Sequence, residues 1–192
     1  MPAIEEKLRL FGLANPSAER DLDRVEGNLH LDLKRTAGDQ RDEYYYPQFA
    51  DSLRQEATRM GEHYEVFYCL ERTIRNLIAS TLEAQHGESW WDKKVPEQVR
   101  AMAKQNAEKE LDAGITVRSE REIDYSNFGE LGEIVKANWD DFDATFSSQR
   151  AFTKIMTSLN SLRAPIAHCC PLAEDEVVRL RLTVRDWFRL ME

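Results

Sequence analysis

A chain of 192 residues, 42% hydrophobic and 32% charged, has apolar material for one packed core and charge for a solvated surface, which excludes a disordered, core-poor polymer. No apolar run reaches the roughly 18–20 residues that a bilayer crossing needs, and the start Met1-Pro2-Ala3-Ile4-Glu5-Glu6 lacks the basic-then-apolar layout of a signal peptide. A cytoplasmic, membrane-free protein is expected, and its formal charge of −9 excludes a generic nucleic-acid coat built on a wide basic surface.

Residues 1–46 read as a less regular N-terminal extension. A short amphipathic stretch (Ile4, Leu8, Leu10, Phe11) stops at Gly12, the loop Asn15-Pro16-Ser17 follows, and charge-rich sequence comes after it. Leu29-His30-Leu31-Asp32-Leu33 alternates with period two and Tyr44-Tyr45-Tyr46 is aromatic-rich, which together suggest a short hairpin across Gly38.

From residue 47 onward the pattern is helical. Between Phe49 and His86 there is no proline, and Gly61 divides two helical patterns; the second carries Phe67, Leu70, Ile74, Leu77, Ile78 and Leu82 at spacings of three and four. Gly87 stands where a C-terminal cap glycine belongs, and Trp90-Trp91 closes one end of the core. A second helix is predicted from Pro96, a good first-turn residue, to about Ala113, with Gly114 as its stop. Residues 115–126 are polar and read as a connection; Phe128, Leu131, Ile134, Val135 and Trp139 then predict a shorter helix ended by Asp140-Asp141. Ser147 or Ser148 can cap the next helix, whose stripe of Phe152, Ile155, Met156, Leu159 and Leu162 leads straight into Arg163. Pro171 and the acids Glu174, Asp175 and Glu176 open a final amphipathic helix with arginines toward its C-terminal end, as the macrodipole favours. The prediction is an all-α fold of four to five helices around one core.

Three cysteines, Cys69, Cys169 and Cys170, have no framework spacing and read as reduced thiols. Adjacent cysteines do not converge on one ion as separated pairs do, so no metal and no cofactor is expected. Charge is unevenly spread. Residues 147–192 hold seven Lys or Arg against five acids, a net +2 within a chain of −9, which leaves room for a local phosphate site.

The chemically pointed segment is Arg163-Ala164-Pro165-Ile166-Ala167-His168. Arg-x4-His alone is a weak signal, but here it ends a core helix, follows a long helix at a distance and precedes a terminal amphipathic one. Over residues 48–192 this arrangement resembles the HEPN superfamily, helical bundles whose active members carry an Arg-x4–6-His motif and cleave RNA without metal. Glu71-Arg72-Thr73-Ile74-Arg75-Asn76-Leu77-Ile78, the Trp90-Trp91 pair and the segment Leu162 to His168 are most similar to the subgroup found in the nuclear messenger-RNA surveillance endonuclease and bacterial relatives. The resemblance implies an HEPN-like helical domain over 47–192, and RNA as partner. It further implies a homodimer whose two motifs face one cleft, and an antitoxin or regulatory protein as a further partner. One departure stands out: Ala164 occupies a position that is often Asn or another polar residue in the family.

Metal-free RNA cleavage needs a base for the 2′-hydroxyl proton, a cation for the charge on the phosphorane and an acid for the leaving 5′-oxygen. Histidine titrates near neutrality and serves as base or acid, and the arginine fork binds two phosphate oxygens at once. His168 and Arg163 supply those types. In an ideal helix, residues five apart point about 140° from each other, so a break at Pro165 is expected to turn both side chains toward one groove. Glu71, and Asn160 three residues before Arg163, are supporting candidates. The plainer readings stand beside these: a capping arginine, a satisfied histidine, a surface ion pair between Glu71 and Arg75, and an exposed helical asparagine. Three readings follow: an endoribonuclease acting as a toxin or defence effector, an inactive HEPN-like module that binds RNA, a nucleotide or a protein partner, or a helical dimerisation protein with no ligand.

Overall fold

A computed structural model describes residues 48–192; the extension and the hairpin expected within it lie outside the described residues. Those described residues are all-α, with no strand among them. The helices are α1 (Asp51–His86), α2 (Trp90–Lys94), α3 (Glu97–Asp112), α4 (Phe128–Ala137), α5 (Gln149–Ala167) and α6 (Glu174–Arg189), with 3-10 turns at Glu122–Tyr125 and Trp139–Asp141. Six helices exceed the expected four to five because Trp90-Trp91 forms a five-residue helix of its own.

α1 is one continuous helix through Gly61, where two patterns were expected. A single helical glycine costs only about 1 kcal/mol relative to alanine, too little to break a helix that has no proline and strong formers on either side. Its C-terminal half buries Phe67, Leu70, Ile74, Ile78 and Leu82 at the predicted spacing. Gly87 then ends it at φ +71, its N–H bonded to the Glu83 carbonyl at 2.8 Å, a left-handed cap that a side chain would strain.

α4 begins with a capping box that satisfies two orphan donors at once. The Asn127 side chain accepts from the Glu130 N–H at 3.0 Å, and the Glu130 carboxylate accepts from the Asn127 N–H at 2.7 Å. Ser148 caps α5 by accepting from the Ala151 N–H. α4 packs on α5 and α5 on α6, and Phe67 meets Phe128 edge-on at 6.3 Å, which fixes α1 against α4. Phe146, Phe152 and Trp187 fill the far end of the core, with Phe146 and Phe152 centroids 4.9 Å apart. The polar connection 115–126 proves to be anchored, since Ile123 and Tyr125 in its 3-10 turn are buried against α3. That anchor places Arg118, Asp124 and Ser126 beside α1.

Candidate active site

The centre of the site is the Glu71 carboxylate on α1. One oxygen accepts from Arg75 Nη2 at 2.5 Å, one helical turn further along the same face, and the other accepts from Arg163 Nε at 3.0 Å, across from α5. The Arg75 Nη2 also donates to the Ser126 carbonyl at 2.8 Å, which ties α1 to the loop entering α4. Glu71 and Arg75 have side chains only 12% exposed, so this is no solvated surface pair. The plain reading of a surface ion pair is corrected by their burial and by the bond from Arg75 to Ser126, 51 residues further along the chain, a contact no local pattern announces.

Arg163 is 34% exposed, and Nε is its only hydrogen-bonded nitrogen among the described residues. Glu71 therefore fixes the plane of the guanidinium and leaves the Nη1 and Nη2 edge for a ligand. Arg163 lines a groove of about 540 Å³ together with Glu71, Arg72, Arg75, Arg118 and Asp124. Four arginines against two carboxylates give this groove a positive balance within a chain of −9.

Asp124 organises the opposite wall. Arg121 grips it with Nη2 at 2.9 Å and Nε at 3.1 Å, the Ser119 hydroxyl donates to it at 2.6 Å, and Arg72 Nη1 lies 3.7 Å away. Burial alone would raise its pKa; the hydrogen bonds from Arg121 and Ser119 outweigh burial and hold the carboxyl below its ordinary value. The group therefore stays an anion, and Arg121 stays committed to it.

Pro165 does not start a fresh helix, contrary to the expected break. α5 runs through it to Ala167, and His168 is the first residue beyond, at φ −103 and ψ 17. The break comes from the cap instead. The Cys170 N–H bonds back to the Pro165 carbonyl at 2.8 Å and the Cys169 N–H to the Ile166 carbonyl at 3.2 Å, the paired bonds of a Schellman motif, with Cys169 at φ +55 in the position that usually belongs to glycine. His168 is thus held at the cap residue itself. Its side chain is exposed, makes no hydrogen bond among the described residues and is not among those lining the groove, although Ile166 and Ala167 are.

Asn160 is exposed on α5 and stands over the start of α4, its Nδ2 3.7 Å from where a Cβ on Gly129 would lie; it does not line the groove. The structure therefore joins Glu71 to Arg163, leaves His168 outside the groove's lining, one residue beyond Ala167, and sets Asn160 apart. Arg118 and Asp124 were missed, because the segment that carries them has no periodicity and owes its placement to buried Ile123 and Tyr125. A larger groove, about 650 Å³ between α3 and the loop after it, contains none of the motif residues.

Family comparison decides what this motif belongs to: the family described as Swt1-like HEPN matches residues 65–192, two-thirds of the chain, and that span contains Glu71, Arg75, Arg163 and His168. The chain belongs to the HEPN superfamily. No curated protein and no solved structure matches it. Membership supports an RNA-related function for this HEPN domain. No helix among the described residues is long and apolar enough to cross a membrane, and no group of three or more potential metal ligands occurs among them.

Proposed function

We propose that this HEPN domain, taken as residues 47–192, is a metal-independent endoribonuclease acting as a toxin or defence effector in the cytoplasm. The observation that carries the reading is Arg163, clamped through Nε by Glu71 with its Nη edge free in a positively charged groove, five residues before an uncommitted imidazole. A phosphodiester seated on the Nη edge accepts two parallel hydrogen bonds, which strengthen as charge builds on the phosphorane. The 2′-oxygen attacks phosphorus and loses its proton to a base, the bond to the 5′-oxygen breaks, and that oxygen takes a proton from an acid. His168 is the group on this chain for one of these transfers. The other falls to His168 of a second copy in a homodimer. Val178 and Leu182, one turn apart on α6 and more than half exposed, are apolar side chains available to such pairing. The match to the family described as Swt1-like HEPN supports placing the chain in the subgroup of the messenger-RNA surveillance endonuclease, and an antitoxin or regulatory protein as a further partner belongs to the same reading.

The test is incubation of the full chain and its His168→Ala variant with labelled RNA in excess chelator. The parent is expected to yield fragments ending in a 2′,3′-cyclic phosphate, and the variant none. Cleavage that survives His168→Ala, or that needs a divalent ion, would falsify the reading. A second reading, an inactive module that binds RNA, a nucleotide or a protein partner, is favoured by one specific observation: His168 lies outside the lining of the groove, with Ala164 in the family's polar position. It predicts RNA retention that is lost in Arg163→Ala, with no cleavage by the parent.

A further inference from the structure

We infer that Tyr64 and Tyr68 form a stacking platform for unpaired bases beside the phosphate held by Arg163, so that the groove takes single-stranded rather than duplex RNA. This rests on the RNA reading above but not on catalysis. The two tyrosines lie four residues apart on α1, one turn before Arg72, and both line the groove that holds Arg163. The two residues are 61% and 56% exposed, with ring centroids 6.2 Å apart and planes inclined at 40°. Neither hydroxyl makes a hydrogen bond among the described residues. Phe67, on the neighbouring face, is 3% exposed, so α1 buries one aromatic in the core and leaves the other two standing in the groove.

An exposed aromatic pair has several potential occupants, and the charge around this one selects among them. Arg72 and Arg163 share the groove with the tyrosines, while Arg118, also in its lining, is held by Glu110; cationic groups and exposed aromatic side chains thus lie along one channel. That combination suits a chain of alternating phosphates and bases, because the forks take phosphate oxygens and any base can lie on a ring. A duplex keeps its bases stacked on each other and offers a tyrosine nothing to cover. Stacking is sequence-tolerant, so the platform sets strandedness and register and leaves base identity open. Tyr64 and Tyr68 are positioning residues.

The measurement uses the full chain carrying His168→Ala, so that binding is read without cleavage, and a short oligoribonucleotide containing 2-aminopurine, whose fluorescence falls when it stacks on an aromatic ring. The single strand is expected to bind with quenching. Tyr64→Ala with Tyr68→Ala should weaken it roughly tenfold or more and abolish the quenching, while Tyr64→Phe with Tyr68→Phe keeps both. Duplex affinity should be the weaker and should not change. The proposal is overturned if the alanine pair binds and quenches like its parent, if duplex RNA binds as tightly as the single strand, or if the parent binds no single strand. It is equally overturned if the alanine pair alters only self-association, measured by light scattering, which would make this face a protein interface. Failure of the nuclease reading looks different: the chain with His168 intact then leaves RNA uncut while tyrosine-dependent quenching persists.

Discussion

Glu71 carries one charge and holds two arginines, and that asymmetry decides what its removal does. With Glu71→Gln the acceptor pair becomes one oxygen and one amide, so either Arg75 or Arg163 loses its partner while remaining partly covered. Breaking such a pair leaves an uncompensated charge, and the expected loss is about 1–3 kcal/mol, read as a lowered urea midpoint at unchanged slope. Under the proposed ribonuclease function, activity on RNA should fall further than stability does, because a guanidinium with no clamp no longer presents its Nη edge in one plane. The prediction is a fall of roughly tenfold or more in kcat/KM at a temperature where the variant is fully folded. Arg163→Lys should be no milder, since a point-charge ammonium cannot hold Glu71 and two phosphate oxygens together. Equal activity in parent and Glu71→Gln would show that Arg163 needs no positioning.

At the scale of the element, the end of α5 is where sequence and structure diverge most usefully. Pro165 was expected to break the helix, but near a C-terminus its missing N–H costs one carbonyl partner and the chain continues for two residues. The stop is set by Cys169, a non-glycine residue at φ +55 immediately after His168. Left-handed backbone costs an L-residue about 1 kcal/mol or more, and it persists here because the back-bonds from Cys169 and Cys170 to Ile166 and Pro165 hold it. Cys169→Gly should therefore raise stability by about 0.5–1 kcal/mol, visible in thermal unfolding, with the helix end unchanged. A destabilised variant would mean that the cysteine side chain contributes contacts that outweigh the strain of its backbone.

At the scale of the whole molecule, three carboxylates, Glu110, Asp124 and Asp141, tie loops to helices and share one titration logic. Asp124 is held by Arg121 and Ser119 against the opposing effect of burial; Asp141 is held by His86 and Lys94 against the same effect; Glu110 is held chiefly by its hydrogen bond from Arg118. Each has a folded pKa below its ordinary value, so the folded state favours the ionised form more than the unfolded chain does. Their contribution is present above the ordinary carboxylate range of about 4 and is lost as pH falls through the lowered values. Urea midpoints should be flat from neutrality down to about pH 5 and then drop. Asp124→Asn should flatten part of that drop, and its failure to do so would assign the acid sensitivity to Asp141 and Glu110.

The all-α class, the long helix and its buried face, the stop at Gly87 and a serine cap at Ser147 or Ser148, which the structure gives to Ser148, were legible in the sequence, and the sequence offered Arg163 and His168 as candidates. Periodicity and capping are properties of residues within one or two turns of each other, and the chain states them directly. Resemblance added the HEPN superfamily, which the match over residues 65–192 bears out. What the sequence did not state is long-range: that Glu71 reaches Arg163 92 positions away, that Arg75 bonds to the Ser126 carbonyl, and that a polar connection anchored by Ile123 and Tyr125 supplies Arg118 and Asp124 to the same groove. These depend on which helix faces meet when the core closes. That choice belongs to the packing of the whole chain, and no local window contains it.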